Sequence, residues 1–154
     1  RHGSLALETK TSTRVDSTRV QIHGPDQLLA PADARLYLAH LRIEPAGGAP
    51  LSVAALRREI IGSGADELIL DTSLAALGCQ EPEGDEWNHT TFSHEALDFY
   101  EVVDGFPRIV SSSFPENALP DGIVGLEYGL DLTHARDYRL GEAASQEMIR
   151  SFAS

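Results

Sequence analysis

A chain of 154 residues suits one compact domain better than two, and its 42% hydrophobic content supplies enough apolar surface for a real core. That content excludes wholesale disorder, and no apolar run approaches the ~20 residues of a membrane-spanning helix. The formal charge of −12 is unevenly spread: residues 1–50 carry six Lys/Arg against five Asp/Glu, and residues 51–154 carry six against nineteen. An acidic surface repels phosphate, so chemistry directed at nucleic acid is expected in the first third of the chain.

A single cysteine, Cys79, excludes an internal disulfide framework and fits a reducing cytoplasm. No signal region or lipidation motif is present, and nothing else points to a membrane. Asn88-His89-Thr90 spells a glycosylation sequon, read as chance in this context. The opening Arg1-His2-Gly3 carries no initiator methionine, which points to a fragment or a processed chain.

Residues 4–12 alternate as a half-buried strand, with Leu5, Leu7 and Thr9 on one face and Ala6, Glu8 and Lys10 on the other. A second strand is expected at 18–23, Val20 and Ile22 inward, Arg19, Gln21 and His23 outward. Gly24-Pro25 ends it, and a short turn follows at 26–29. Residues 35–43 are apolar on both faces, as in a central strand covered on both sides. The loop 45–50 leads to two helices. The first has Ser52 as N-cap, a stripe of Val53, Leu56, Ile60 and Ile61, and Gly62 at its end. The second has Asp66 and Glu67 in its first turn and a stripe of Leu70, Leu74 and Leu77.

Residues 79–91 read as an acidic surface loop. Strand character returns at 92–103, where Asp104-Gly105 predicts a hairpin turn with 108–112 as partner strand. After a loop at 115–122, residues 123–132 predict a strand with Val124, Leu126, Tyr128, Leu130 and Leu132 on one face. Residues 142–152 close the chain as a helix. This order predicts an α/β (α+β) fold with a mixed sheet: core strands over 4–43, helices over 52–78, further strands over 92–132 and a last helix.

The chemistry sits in Leu7-Glu8-Thr9-Lys10-Thr11. Glu8 and Lys10 are two apart on a strand, so they emerge on the same face with Cα atoms about 6–7 Å apart. A carboxylate is a hard oxygen ligand suited to magnesium, and the Thr9 carbonyl can add to the shell. The ammonium can orient a water or stabilise charge on a phosphate. Taken alone, the tripeptide is far more often the exposed ion pair of a solvated strand.

The segment 6–12 (ALETKTS), the pair Gln27-Leu28 and the strand RLYLAHLRI resemble a bacterial family of PD-(D/E)XK proteins. More specific is the later stretch: the aromatic pair Phe99-Tyr100, then D-G-F-P-R at 104–108, L-P-x-G-I at 119–123 and a final strand to Leu132. The similarity runs from about residue 5 to residue 140. It implies a restriction-endonuclease-like core, a magnesium- or manganese-dependent DNA endonuclease, and a role in phage defence beside ATPase and methyltransferase partners. Carried over by position, Glu8 binds metal, Lys10 is catalytic and Gln27 is a polar helper. The family motif opens with an aspartate several residues before the glutamate, and residues 1–7 hold no acid. The N-terminal part of the core is therefore expected to be missing, and the chain alone weakly active or inactive.

Arg14 and Arg19 flank these residues and are candidate DNA-phosphate contacts. Residues 104–108 are expected to form a hairpin corner in which Gly105 takes positive φ and Phe106 caps the core, the alternative being that Arg108 reaches a DNA phosphate or the metal site. His2, His23, His40, His89, His94 and His134 have no zinc spacing, and His23 alone is expected to share the Glu8–Lys10 face. Trp87 is no stacking platform, and Cys79 has no basic setting that would activate it. The alternative to an enzyme is a non-catalytic nuclease-fold scaffold that docks a partner protein through the acidic surface.

Overall fold

The computed structural model describes residues 4–14 and 16–152. These residues form two compact units, one drawn from the described residues up to 42 and from 96 to 152, the other residues 43–95. The architecture is α/β with parallel and antiparallel strand pairs.

In the first unit, β1 (Ser4–Ser12) lies parallel to β3 (Ala34–Pro45), whose other neighbour is β4 (Phe92–Glu101). β2 (Arg19–His23) pairs antiparallel with β5 (Glu127–Asp131). Five consecutive residues of β3, Leu36 to His40, are buried, as expected of a strand covered on both faces. Successive side chains then serve opposite clusters. Leu36 and Leu38 pack with Val20, Ile22, Leu28, Tyr100, Val102, Phe106, Leu130, Leu132 and Ala135. Tyr37 and Ala39 pack with Phe99 and with Met148 of the last helix, Glu142–Phe152. β1 follows the same parity: Ala6 joins the first cluster and Leu5 the second.

The second unit holds helices α1 (Val53–Gly62), α2 (Glu67–Ala76) and the short α3 (Asp85–Asn88); the last helix is α4. The predicted Ser52 cap forms, its Oγ accepting from the Ala55 N–H; Asp66, expected in the first turn of the second helix, is instead its N-cap, Oδ1 accepting from the Ile69 N–H. The predicted apolar stripes are not buried. Leu56 and Ile60 stay exposed, α2 buries no residue, and Leu77 is 81% exposed. Charge joins the two helices instead. The Arg57 guanidinium donates to Asp71 (2.7 Å) and Glu67 (2.5 Å), which raises its own pKa and holds the Asp71 carboxyl below its usual range. Within 79–91, Asn88 takes the Ala54 N–H and donates to the carbonyls of Pro82 and Gly84, so that loop is pinned, and Cys79 is buried.

Two further expectations fail for identifiable reasons. Residues 108–112 form no strand, because the Ile109 N–H goes to Tyr128 Oη (3.1 Å) and the Val110 N–H to Ser113 Oγ (3.0 Å). Those donors are lost to a ladder. The predicted strand 123–132 shrinks to 127–131, with Val124 fully exposed. Its partner β2 ends at His23, opposite Glu127, and Gly24 (φ 107°) turns its N–H to the Leu126 carbonyl. A 3-10 helix, Leu132–Tyr138, continues the chain and buries Leu132 and Ala135.

The 104–108 turn matches its expected role. Gly105 has φ 89°, Phe106 is 4% exposed, and its ring meets Tyr138 edge-on at 5.4 Å. A Cβ on Gly105 would lie 2.6 Å from Tyr138 Oη, whereas one on Gly122 (φ 83°) would touch nothing. Gly122→Ala should therefore cost about 1–2 kcal/mol for its backbone alone. Gly105→Ala should cost roughly 1–3 kcal/mol more, from the overlap. Chemical denaturation in a Tyr138→Phe background should return the Gly105→Ala cost to the Gly122→Ala level; an unchanged cost would refute the contact.

Candidate active site

Glu8 and Lys10 project together from β1, as their spacing requires, on the face that Ala6 shares with the larger core. Lys10 Nζ lies 2.9 Å from Glu8 Oε1, and the two side chains are 13% and 25% exposed, respectively. Lys10 Nζ also donates to Gln27 Oε1 at 2.8 Å. The same amide oxygen accepts the His23 backbone N–H at 2.8 Å. Thus a residue 17 positions from Lys10 in sequence closes a three-membered polar cluster with the two strand residues. Such a mostly buried ammonium is costly unless acceptors replace its water, and here two do.

Local chemistry explains why Gln27 sits there. The Leu29 N–H bonds back to the Asp26 carbonyl, and Leu28, fully buried, anchors the turn in the core. Arg108 Nη1 donates to the Leu28 carbonyl (2.8 Å), and Ser111 Oγ to Asp26 Oδ1 (3.1 Å). The D-G-F-P-R segment is therefore a brace for the Gln27 turn. Arg108 is 17% exposed and spends itself on backbone rather than facing solvent.

Parallel register sets His40 opposite Lys10 and Arg42 opposite Ser12. His40 is 2% exposed and shares a 2.9 Å hydrogen bond with Ser12 Oγ. Beside it opens a cavity of about 290 Å³, whose wall includes His40, Arg42, Asp98 and Arg139. Asp98, nearly buried, accepts from Arg42 Nη2 (2.7 Å) and Arg139 Nη2 (2.5 Å). Sequence reasoning missed this group, because its members come from β3, β4 and the segment before α4. The available signal was Asp98 itself, on the same inward parity of β4 as Tyr100.

The remaining candidates scatter. Thr9 lies between Glu8 and Lys10, exposed on the opposite side of the strand. Arg14 forks to Asp16 at 3.3 Å with both side chains about three-quarters exposed, and Arg19 approaches Asp131 at 3.8 Å. The His23 imidazole turns to Glu127 (3.2 Å), so its contribution to the cluster is its backbone. His89 bonds carbonyls of its own helical turn, His94 and His134 are exposed, and His2 lies outside the described residues. Among the described residues, no group of three or more His, Cys, Asp or Glu is placed to hold a metal. Nor is any helix among them long and apolar enough to cross a membrane.

A family model described as "Putative PD-(D/E)XK family member" (DUF4420) matches residues 1–133. No curated protein and no solved structure matches the chain.

The buried imidazole gives a pH signature. Burial first, and then the Arg42 charge, hold the His40 pKa below 6.5, against the opposing pull of Asp98. The unfolded chain therefore takes up this proton first as pH falls. Stability from a neutral His40 is complete above 6.5 and drains away as pH drops towards the folded value. His40→Gln, followed by denaturant unfolding across this range, should flatten the acid-side loss; equal slopes in the two proteins would contradict it.

Proposed function

From the premise that the chain belongs to the PD-(D/E)XK family matched over residues 1–133, we propose that its Glu8–Lys10–Gln27 cluster is the hydrolytic half-site of a DNA endonuclease. Family membership makes this a nuclease-like domain. The observation that carries the finer reading is the convergence of Lys10 on Glu8 and Gln27, at 2.9 and 2.8 Å. An ordinary exposed strand pair has no need of a third side chain brought in from a braced turn.

Members of such families usually use a divalent metal ion. The donors here fit magnesium as a site with one protein carboxylate, Glu8, joined by the Thr9 carbonyl, water and the substrate's own phosphate oxygens; manganese accepts the same donors. When bound, the ion would lower the barrier by withdrawing charge from the phosphate. The chain's residues divide the remaining work. Glu8 fixes one edge of the site, and Gln27 holds the ammonium in place. Lys10 orients the attacking water and offsets the negative charge that builds on the phosphoryl oxygens. The water oxygen bonds to phosphorus as one phosphorus–sugar oxygen bond breaks. One water proton ends on the leaving sugar oxygen and the other passes to solvent.

The proposed setting is restriction or phage defence in the cytoplasm, with DNA as substrate and ATPase or methyltransferase components as partners. A second reading, a non-catalytic scaffold docked to a basic partner, rests on two observations. Lys10 already has both its acceptors from the protein, and the second unit carries ten Asp/Glu against two Arg, a net of −8.

Nicking of supercoiled plasmid separates the two. Magnesium-dependent cleavage by the full-length gene product should fall by about 10²-fold or more in Glu8→Gln and in Lys10→Met, the loss typical of a residue that stabilises developing charge. Cleavage that survives both substitutions refutes the site. An uncut plasmid with folded, magnesium-supplied wild type favours the scaffold.

A further inference from the structure

The cavity beside the cluster carries chemistry that neither the hydrolytic step nor the core requires. Its lining combines three guanidinium side chains, those of Arg42, Arg136 and Arg139, with one carboxylate, Asp98. In a chain of net charge −12 such a local excess of positive charge is unusual and points to an anion. Asp98 accepts from one Nη2 atom of each of two arginines, holding Arg42 and Arg139 as a fixed fork. Arg136 comes from the 3-10 helix, is exposed, and pairs with no carboxylate among the described residues. Ser17, Thr18 and Thr133 add hydroxyl-bearing side chains to the wall. Asp131 stands behind this wall: its carboxylate accepts the Thr133 N–H at 3.0 Å, bonds the Thr133 and Thr18 side chains, and has Arg19 at 3.8 Å as its counter-charge. A volume of about 290 Å³ admits a phosphate group with water to spare.

Position links the cavity to the cluster. His40 lines it and is the register partner of Lys10, one strand over on the same face. Adjacent strands lie about 4.8 Å apart, so His40 on the cavity wall is one strand spacing from the Lys10 backbone.

We propose that this cavity binds a backbone phosphate of the DNA strand near the one presented to Glu8 and Lys10, with Arg136 as its contacting cation. This inference rests on the endonuclease reading for its ligand, and its test does not depend on cleavage. The Asp98 fork gives the site a rigid floor, and Arg136 closes on the phosphate from the exposed side.

The test is fluorescence-anisotropy binding of a short fluorescein-labelled DNA duplex to the full chain, with calcium in place of magnesium so that no cutting intervenes. Arg136 is exposed, so Arg136→Gln should leave thermal unfolding unchanged. It should weaken binding about tenfold, the value of one charge-assisted contact, and lower the salt-dependence slope by about 1. Arg136→Lys, which keeps the charge, should restore the slope. Unchanged affinity and slope in Arg136→Gln would overturn the proposal. So would a cavity that takes inorganic phosphate, measured by calorimetry, while DNA binding ignores Arg136. If Arg136 governs binding but Glu8→Gln leaves nicking intact, the assignment of the hydrolytic site to Glu8 fails and the cavity stands. If Glu8→Gln abolishes nicking but Arg136 is silent, the reverse holds.

Discussion

The Gln27 side-chain oxygen receives two hydrogen bonds, one from an ammonium and one from a backbone N–H, and that convergence organises the first unit's polar face. A lysine on a half-buried strand can point in many directions, because its stem is long and its rotamers numerous. Here Gln27 and Glu8 restrict it to one. Gln27 is restricted in turn by Leu28 in the core and by Arg108 on the Leu28 carbonyl. The order of dependence runs from apolar packing, through a backbone turn, to the position of one charged nitrogen.

The same logic extends across the sheet. β1 and β3 in parallel register place a chemical group on every second residue: Glu8 beside Leu38, Lys10 beside His40, Ser12 beside Arg42. Apolar pairs at the start of the strands give way to polar pairs at their ends, so the core closes one end of this face and leaves the other for chemistry. Asp98 continues the polar row on β4 and keeps two arginines from repelling each other. Ligand sites in α/β folds commonly lie at the carboxyl ends of strands, and the clustering here follows that rule.

Much of this was legible in sequence. The alternation in 4–12 placed Glu8 and Lys10 on one face, and the doubly apolar run at 35–43 marked the central strand. Ser52 announced its helix through hydrogen-bonding chemistry that acts over three residues, and Asp66 and Glu67 announced theirs by charge, although Asp66 turned out to be the cap itself. What failed was non-local. The dipeptide Asp104-Gly105 does make a turn, yet whether a ladder follows depended on Tyr128 and Ser113 competing for the next N–H groups. The leucines of α2 carried a helical period, but Arg57 joined the helices through Asp71 and Glu67 instead. Gln27 came from family resemblance. No spacing rule would have sent its amide to Lys10, nor gathered Arg42, Asp98 and Arg139, because their proximity is a product of the fold.

The most direct test follows backbone and side-chain amide resonances during magnesium titration of the folded chain. If Glu8, Lys10 and Gln27 form the metal-supported site, shifts will centre on Thr9, Lys10, His23 and the Gln27 side-chain amide, and Glu8→Gln will abolish them. Shifts confined to the acidic residues of 43–95, or indifferent to Glu8→Gln, would contradict the account.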